Sequence, residues 1–191
     1  MMAYMQFTKY ALAQSLKALC EEQAFDKISV RDVTEHCKVN RQTFYYHFSD
    51  KFELLDWIYY EEAFLPLTEG LTLKNWSEKF CELLKLMKRD KAFYMHTIKC
   101  SENFFEEYLF KILIALHRSA IEKLDRRKVI TEKKAEIYAR FFAHGLTGII
   151  IDWAQGGMRE DEEMLAETMR ELLEHGVKLF HDQEWLSSVL E

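Results

Sequence analysis

Residues 39–50, VNRQTFYYHFSD, gather Arg41, Gln42, Thr43, Tyr45, Tyr46 and His47 within two turns of a helix. Their chemistry is that of base and phosphate recognition. An Arg guanidinium can pair with two acceptors of guanine, a Gln amide with adenine, and a Thr methyl with thymine. Tyrosine hydroxyls suit phosphate oxygens. At about 100° per residue, with Phe44 facing inward, Phe48 falls about 40° from it and is also buried. Gln42 and Tyr46 then point outward, Thr43 and Tyr45 flank them, and Arg41 swings clear in the first turn. His47 lies at the edge, open between a phosphate contact and packing.

Such a surface works only if neighbouring elements hold it out. The 191 residues hold one proline and six glycines, 49% are hydrophobic, and four-residue spacing prevails over alternation, which gives an all-α chain. A first helix is expected from Thr8, as cap, to about Gln23, with Leu12, Leu16, Leu19 and Cys20 on one face. Ser29 is an N-cap, with Asp32 placed to complete the box. Lys38 and Val39 form a tight turn. Asn40 caps the next helix through the amide of Gln42 or Thr43, and Val39 and Phe44 have the spacing of a hydrophobic staple. Two short helices joined by a tight turn are a helix-turn-helix. Asp50 and Glu53 open a fourth helix, which is expected to end near Pro66 and Gly70. Lys51 in its first turn can meet a phosphate together with the free amides of the helix start.

The run ISVRDVTEHCKVNRQTFYYHFSDKFELL (28–55) resembles the DNA-binding signature of TetR-type bacterial transcription regulators. The resemblance implies a TetR-like fold, with an N-terminal three-helix helix-turn-helix domain, residues 1–55, and a larger C-terminal helical bundle that senses an effector and dimerises, residues 56–191. It further implies a homodimer on double-stranded operator DNA, one reading helix per subunit. By position it puts Thr43, Tyr45 and Tyr46 on contact positions, Arg41 and Gln42 on the variable positions that choose bases, and Ser29 and Lys51 on phosphates. Thr43 and Tyr46 are expected on bases and Tyr45 on phosphate, and Lys38 and His47 are further phosphate candidates that the resemblance does not assign. Ala24 and Lys38 stand where the family commonly has glycine. A left-handed backbone at such residues costs roughly 1–2 kcal/mol. The stretch RQTFYYHFSDKFELLDWIYYEEAF also resembles activators of dihydroxyacetone-kinase operons, which implies a protein effector as an alternative to a small molecule.

Further helices are expected at Trp76–Met87, Phe93–Ile98 and Phe104–Leu116. Two more close the chain, at about 135–156 and 161–181, the first with Tyr138, Phe142, Gly145, Ile149 and Trp153 on one face. This last pair is expected to fill the core or to join a second copy. Trp76, Phe93, Tyr108, His144 and Asp152 are expected around an effector pocket, the alternative being that they are core and interface side chains.

The net charge of −6 falls wholly outside residues 1–55, which carry seven basic and seven acidic groups. The reading end is therefore neutral, and DNA binding is permitted. Four dispersed cysteines and no secretory leader suggest a reduced, cytoplasmic protein, and the apolar stretch 145–154 is too short to span a bilayer. No histidine pair has metal-site spacing, so no metal, cofactor or catalytic residue is expected. The competing reading is an all-α enzyme or protein-binding adaptor whose first helices only resemble a DNA reader.

Overall fold

The computed structural model describes residues 2–98, 104–125 and 128–179; Cys100 and Phe180 lie outside them. Helices α1 (Met2–Glu22), α2 (Val30–His36), α3 (Arg41–His47) and α4 (Lys51–Ile58) form the N-terminal head. A π-helical segment (Tyr59–Phe64) and α5 (Leu65–Thr68) continue α4 without a break. The remainder is α6 (Trp76–Arg89), α7 (Lys91–Thr97), α8 (Phe104–Leu124), α9 (Glu132–Gln155) and α10 (Glu162–Leu179). Among the described residues the chain is all-α, as its spacing implies.

The caps fall where the sequence puts them. Ser29 and Asp32 form a capping box at α2, Asn40 accepts the Thr43 amide at α3, and Asp50 accepts the amides of Phe52 and Glu53 at α4. Thr8 does not cap, because α1 begins several residues earlier. Lys38 adopts the left-handed backbone expected of the turn, with φ of 58°. Ala24 escapes that cost: its φ of −63° and ψ of 141° are extended, leading into a 3₁₀ turn (Phe25–Lys27).

The fourth helix runs through Pro66 and ends at Thr68, between Pro66 and Gly70 as expected. The apolar positions explain its course. Leu54, Leu55, Ile58 and Tyr59 share a stripe, but Ala63, Phe64 and Leu67 would be centred about 155° away from it in an unbroken α-helix. All seven are buried. A π-turn accommodates one extra residue and brings the two stripes together. Its signature is the Leu65 N–H donating to the carbonyl of Tyr60, five residues back. The turn that follows Thr68 includes Gly70, whose φ is 68°. The expected domain division after residue 55 therefore falls within one continuous helix.

Tyr59 sits at the centre of the body. Its ring packs against Phe93, Tyr94 and Phe105, and its hydroxyl donates to Thr97 Oγ1 at 2.7 Å. The buried face of α9 includes Trp153 and Leu146 but is otherwise built of smaller residues than its aromatic face. It consists of Ala139, Ala143, Leu146, Thr147, Ile150, Trp153 and Ala154, whose small members let α8 and α9 pack closely.

His117 on α8 is 1% exposed, its ring lies parallel to Phe142, and its Nδ1 is 2.6 Å from the Leu113 carbonyl. Burial holds its imidazole below its ordinary value, against the opposing pull of that hydrogen bond. The unfolded chain therefore binds this proton more readily than the folded one. Stability is expected to be intact above roughly pH 6.5 and to fall as the pH drops through that value. Melting curves from pH 5 to 7.5 should show this slope, and His117→Leu should flatten it.

Candidate nucleic-acid interface

Helix α3 is only seven residues long, and three contacts fix it. Phe44 is fully buried and Phe48 nearly so, their rings 5.9 Å apart. At its start, Asn40 Oδ1 accepts the Thr43 amide at 2.7 Å and the Thr43 hydroxyl at 3.0 Å. At its end, Phe48 returns to extended backbone. Arg41, Gln42, Tyr45 and Tyr46 are left exposed, with Tyr46 at 70%. This is the outward set that the helical geometry implied.

The other expected contacts are placed less freely. Thr43 is half-buried and its hydroxyl proton is directed to Asn40, so a base would meet its methyl. Ser29 donates its hydroxyl to Asp32 Oδ2 at 2.7 Å. Lys51 does not extend to solvent. Its ammonium donates to the carbonyls of Phe25 and Ile28 at 2.9 and 2.8 Å, and it lies 4.5 Å from the centre of the Phe25 ring. Its role in this structure is to fasten the start of α4 to the end of the 3₁₀ turn. These carbonyls engage the Lys51 donors in the free protein, at the helix start where the phosphate expectation placed them. Lys38 is exposed at the tip of the turn.

One residue of this face carries no local sequence signal. Lys9 of α1 lies over the rings of Phe48 and Trp57, 5.2 and 5.5 Å from their centres. It stands beside His47, whose imidazole is held below its ordinary value by burial and then by the Lys9 charge. Lys9 and His47 thus place a cation and a titratable ring at one edge of α3, where a phosphate strand beside the reading helix would pass.

The five residues expected around an effector pocket are not brought together. Trp76 and Phe93 are buried in the core. His144 and Asp152 are exposed on α9, with His144 resting on the Phe110 ring. Tyr108 lines a groove of about 540 Å³ between the α5–α6 connection and α8, and the other four are not among its lining residues. Leu71, Leu73, Ile112 and Leu116 give it an apolar wall, and Lys111 and Lys123 stand along it. Aromatic spacing alone could not separate core from pocket wall. Among the described residues, no cluster of His, Cys, Asp and Glu could hold a metal ion, and no helix is long and apolar enough to cross a membrane.

Residues 15–58 match the family described as bacterial regulatory proteins, tetR family, and residues 74–175 match the one described as transcriptional regulator C-terminal region. The HTH-type dhaKLM operon transcriptional activator DhaS of Lactococcus lactis subsp. lactis (strain IL1403) is 30% identical over 105 residues. That stretch spans 55% of this chain and 55% of the relative, about half of each. A solved structure of a dihydroxyacetone kinase operon activator DhaS superposes with a TM-score of 0.71 at 24% identity, covering 90% of this chain and 97% of that one. Native NalD of Pseudomonas aeruginosa, the secondary repressor of the MexAB-OprM multidrug efflux pump, gives a TM-score of 0.65 at 17% identity, covering 90% and 96%. At these identities the two structures speak for the fold alone.

Proposed function

The chain belongs to the tetR family of bacterial transcription regulators, and from that premise we propose that it works as a homodimer whose two α3 helices read operator DNA under control of an effector bound to the body. The observation that carries this reading is the exposed set Arg41, Gln42 and Tyr46 on a capped, stapled helix. These three residues and the Thr43 methyl contact bases. Tyr45, Lys38, His47 and Lys9 contact phosphates, with Ser29 contributing where its capping bond yields.

The dimer forms through α9 and α10. In support, Ile137 and Phe141 are 56% and 68% exposed on α9, and Met164 and Leu172 are 50% and 47% exposed on α10. Gly145, next to Phe141 on the same face, has open space around it, which lets another helix approach closely. A single seven-residue helix reads too few base pairs for useful specificity, so two copies are needed.

The groove beside Tyr108 is the effector site of this reading. Its apolar wall and two lysines suit a small amphipathic anion. Likeness to DhaS favours control of a dihydroxyacetone-kinase operon.

The test is a gel-shift series on duplexes selected from a random DNA pool. The expected result is selection of a two-half-site sequence, with affinity falling steeply as salt rises. Selection of no sequence by pure protein would leave the adaptor reading in possession.

His47 adds a pH signature. A phosphate beside it favours the charged ring, so its pKa in the complex lies above that in the free protein, where burial and Lys9 hold it down. Binding therefore takes up a proton, and affinity for the selected duplex is expected to rise as pH falls from 8 toward 6. His47→Gln should remove that dependence while leaving binding at pH 8 nearly unchanged.

A further inference from the structure

Lys17 of α1 is 9% exposed, yet α1 belongs to the head that carries α3. Its ammonium lies 2.6 Å from Glu62 Oε2, in the π-segment, and 2.7 Å from Asp90 Oδ2, at the corner between α6 and α7. Asp90 is also paired with Arg89 at 3.1 Å. One side chain of the head thus grips both the linking helix and the body. α1 packs directly against α7 as well, so the grip lies inside a packed seam.

Burial pushes the Asp90 carboxyl up, but hydrogen bonds from Arg89 and Lys17 outweigh it and hold the group below its ordinary value. The carboxylate is therefore ionised where it meets Lys17. A charge pair shielded from water has a narrow range of acceptable geometry and resists sliding.

We propose that Lys17, Glu62 and Asp90 are positioning residues for DNA reading: the buried triad sets the angle of the head on the body, and thereby the separation of the two α3 helices in the dimer. The π-turn is part of the device, because the register it imposes holds Glu62 toward Lys17. The helix that carries Glu62 ends at Thr68, on the wall of the groove beside Tyr108. An occupant of that groove bears on the same helix as the triad. The inference rests on the dimeric reading proposed above.

The experiment uses the duplex selected by the wild-type protein, and the same duplex with one or two base pairs inserted between its half-sites. The variant Lys17→Met/Glu62→Gln/Asp90→Asn removes all three charges, so none is left buried without a partner. Lys17→Arg keeps the cation and serves as the rescue control. All are assayed at a temperature where melting curves show each protein folded. Wild type and Lys17→Arg are expected to discriminate sharply against the inserted duplexes. The triple variant should lose about tenfold of that discrimination, within the range usual for coupled sites. A folded triple variant that discriminates as wild type does, with only its melting temperature lowered, overturns the proposal. Should the triple variant fold at no temperature, Lys17→Arg decides: a folded Lys17→Arg that discriminates no better than expected for free heads also overturns the proposal. Selection of a single half-site by wild type overturns the dimeric reading, and with it this one.

Discussion

Phe44→Ala is expected to destabilise the head by about 3–5 kcal/mol, the usual cost of truncating a fully buried Phe. Phe44 has no exposed surface, contacts the rings of Tyr45 and Phe48, and is the one residue of α3 that anchors it from beneath. A helix of seven residues cannot persist on its own propensity, because nucleation is too costly for so short a segment. Removing the anchor should therefore dissolve the reading surface along with the packing. Chemical denaturation followed by fluorescence would show a lower midpoint, and binding to the selected duplex would be lost. A midpoint within about 0.5 kcal/mol of wild type, the range of ordinary surface changes, would contradict the packing described.

The second large effect separates reading from folding. Arg41→Ala and Tyr46→Ala alter exposed side chains three positions before and two after Phe44, and melting should hardly change. Each is nevertheless expected to cost about 1–3 kcal/mol in affinity for the selected duplex. For Arg41 the loss should come with relaxed choice at one base pair, because a guanidinium that pairs with guanine discriminates as well as binds. A loss that is the same for every sequence would mark the side chain as a phosphate contact instead. Competition binding with single-base variants of the duplex distinguishes the two.

The reading helix was legible because its signals are local. Asn40 and Thr43, Ser29 and Asp32, and Asp50 and Glu53 are each three residues apart, and a cap is decided within one turn. Phe44 and Phe48 follow from helical spacing alone. The anchoring of Lys51 was not legible, for the opposite reason. Its partners are the carbonyls of Phe25 and Ile28, more than twenty residues away, and only the folded head brings them within reach. Lys9 over Phe48 and Lys17 between Glu62 and Asp90 are likewise tertiary meetings with no local mark.

In the body, aromatic spacing was ambiguous. The large rings of α9 left open which face is inner; close packing against α8 favours Ala139 and Ala143 there and leaves Phe141 outside. His144 and Asp152 share a face, as their spacing implies, but it is a solvent face. The helix end near Pro66 and Gly70 was legible because proline cannot donate to the turn before it. The π-turn was not foreseen, although the change of apolar phase between Tyr59 and Phe64 was its sequence signal.

That π-turn makes the connecting helix tolerant of one kind of length change and intolerant of the other. It behaves as a phase correction, absorbing a single surplus residue between two apolar stripes that are each regular. Deleting Glu61 would let the helix close into ordinary α geometry with both stripes still in phase, so the protein should remain folded. Inserting one residue there would add a second rotation of about 100° with no slack to absorb it, turning the buried side of α5 toward solvent. The chain length between head and body is thus fixed more tightly from above than from below.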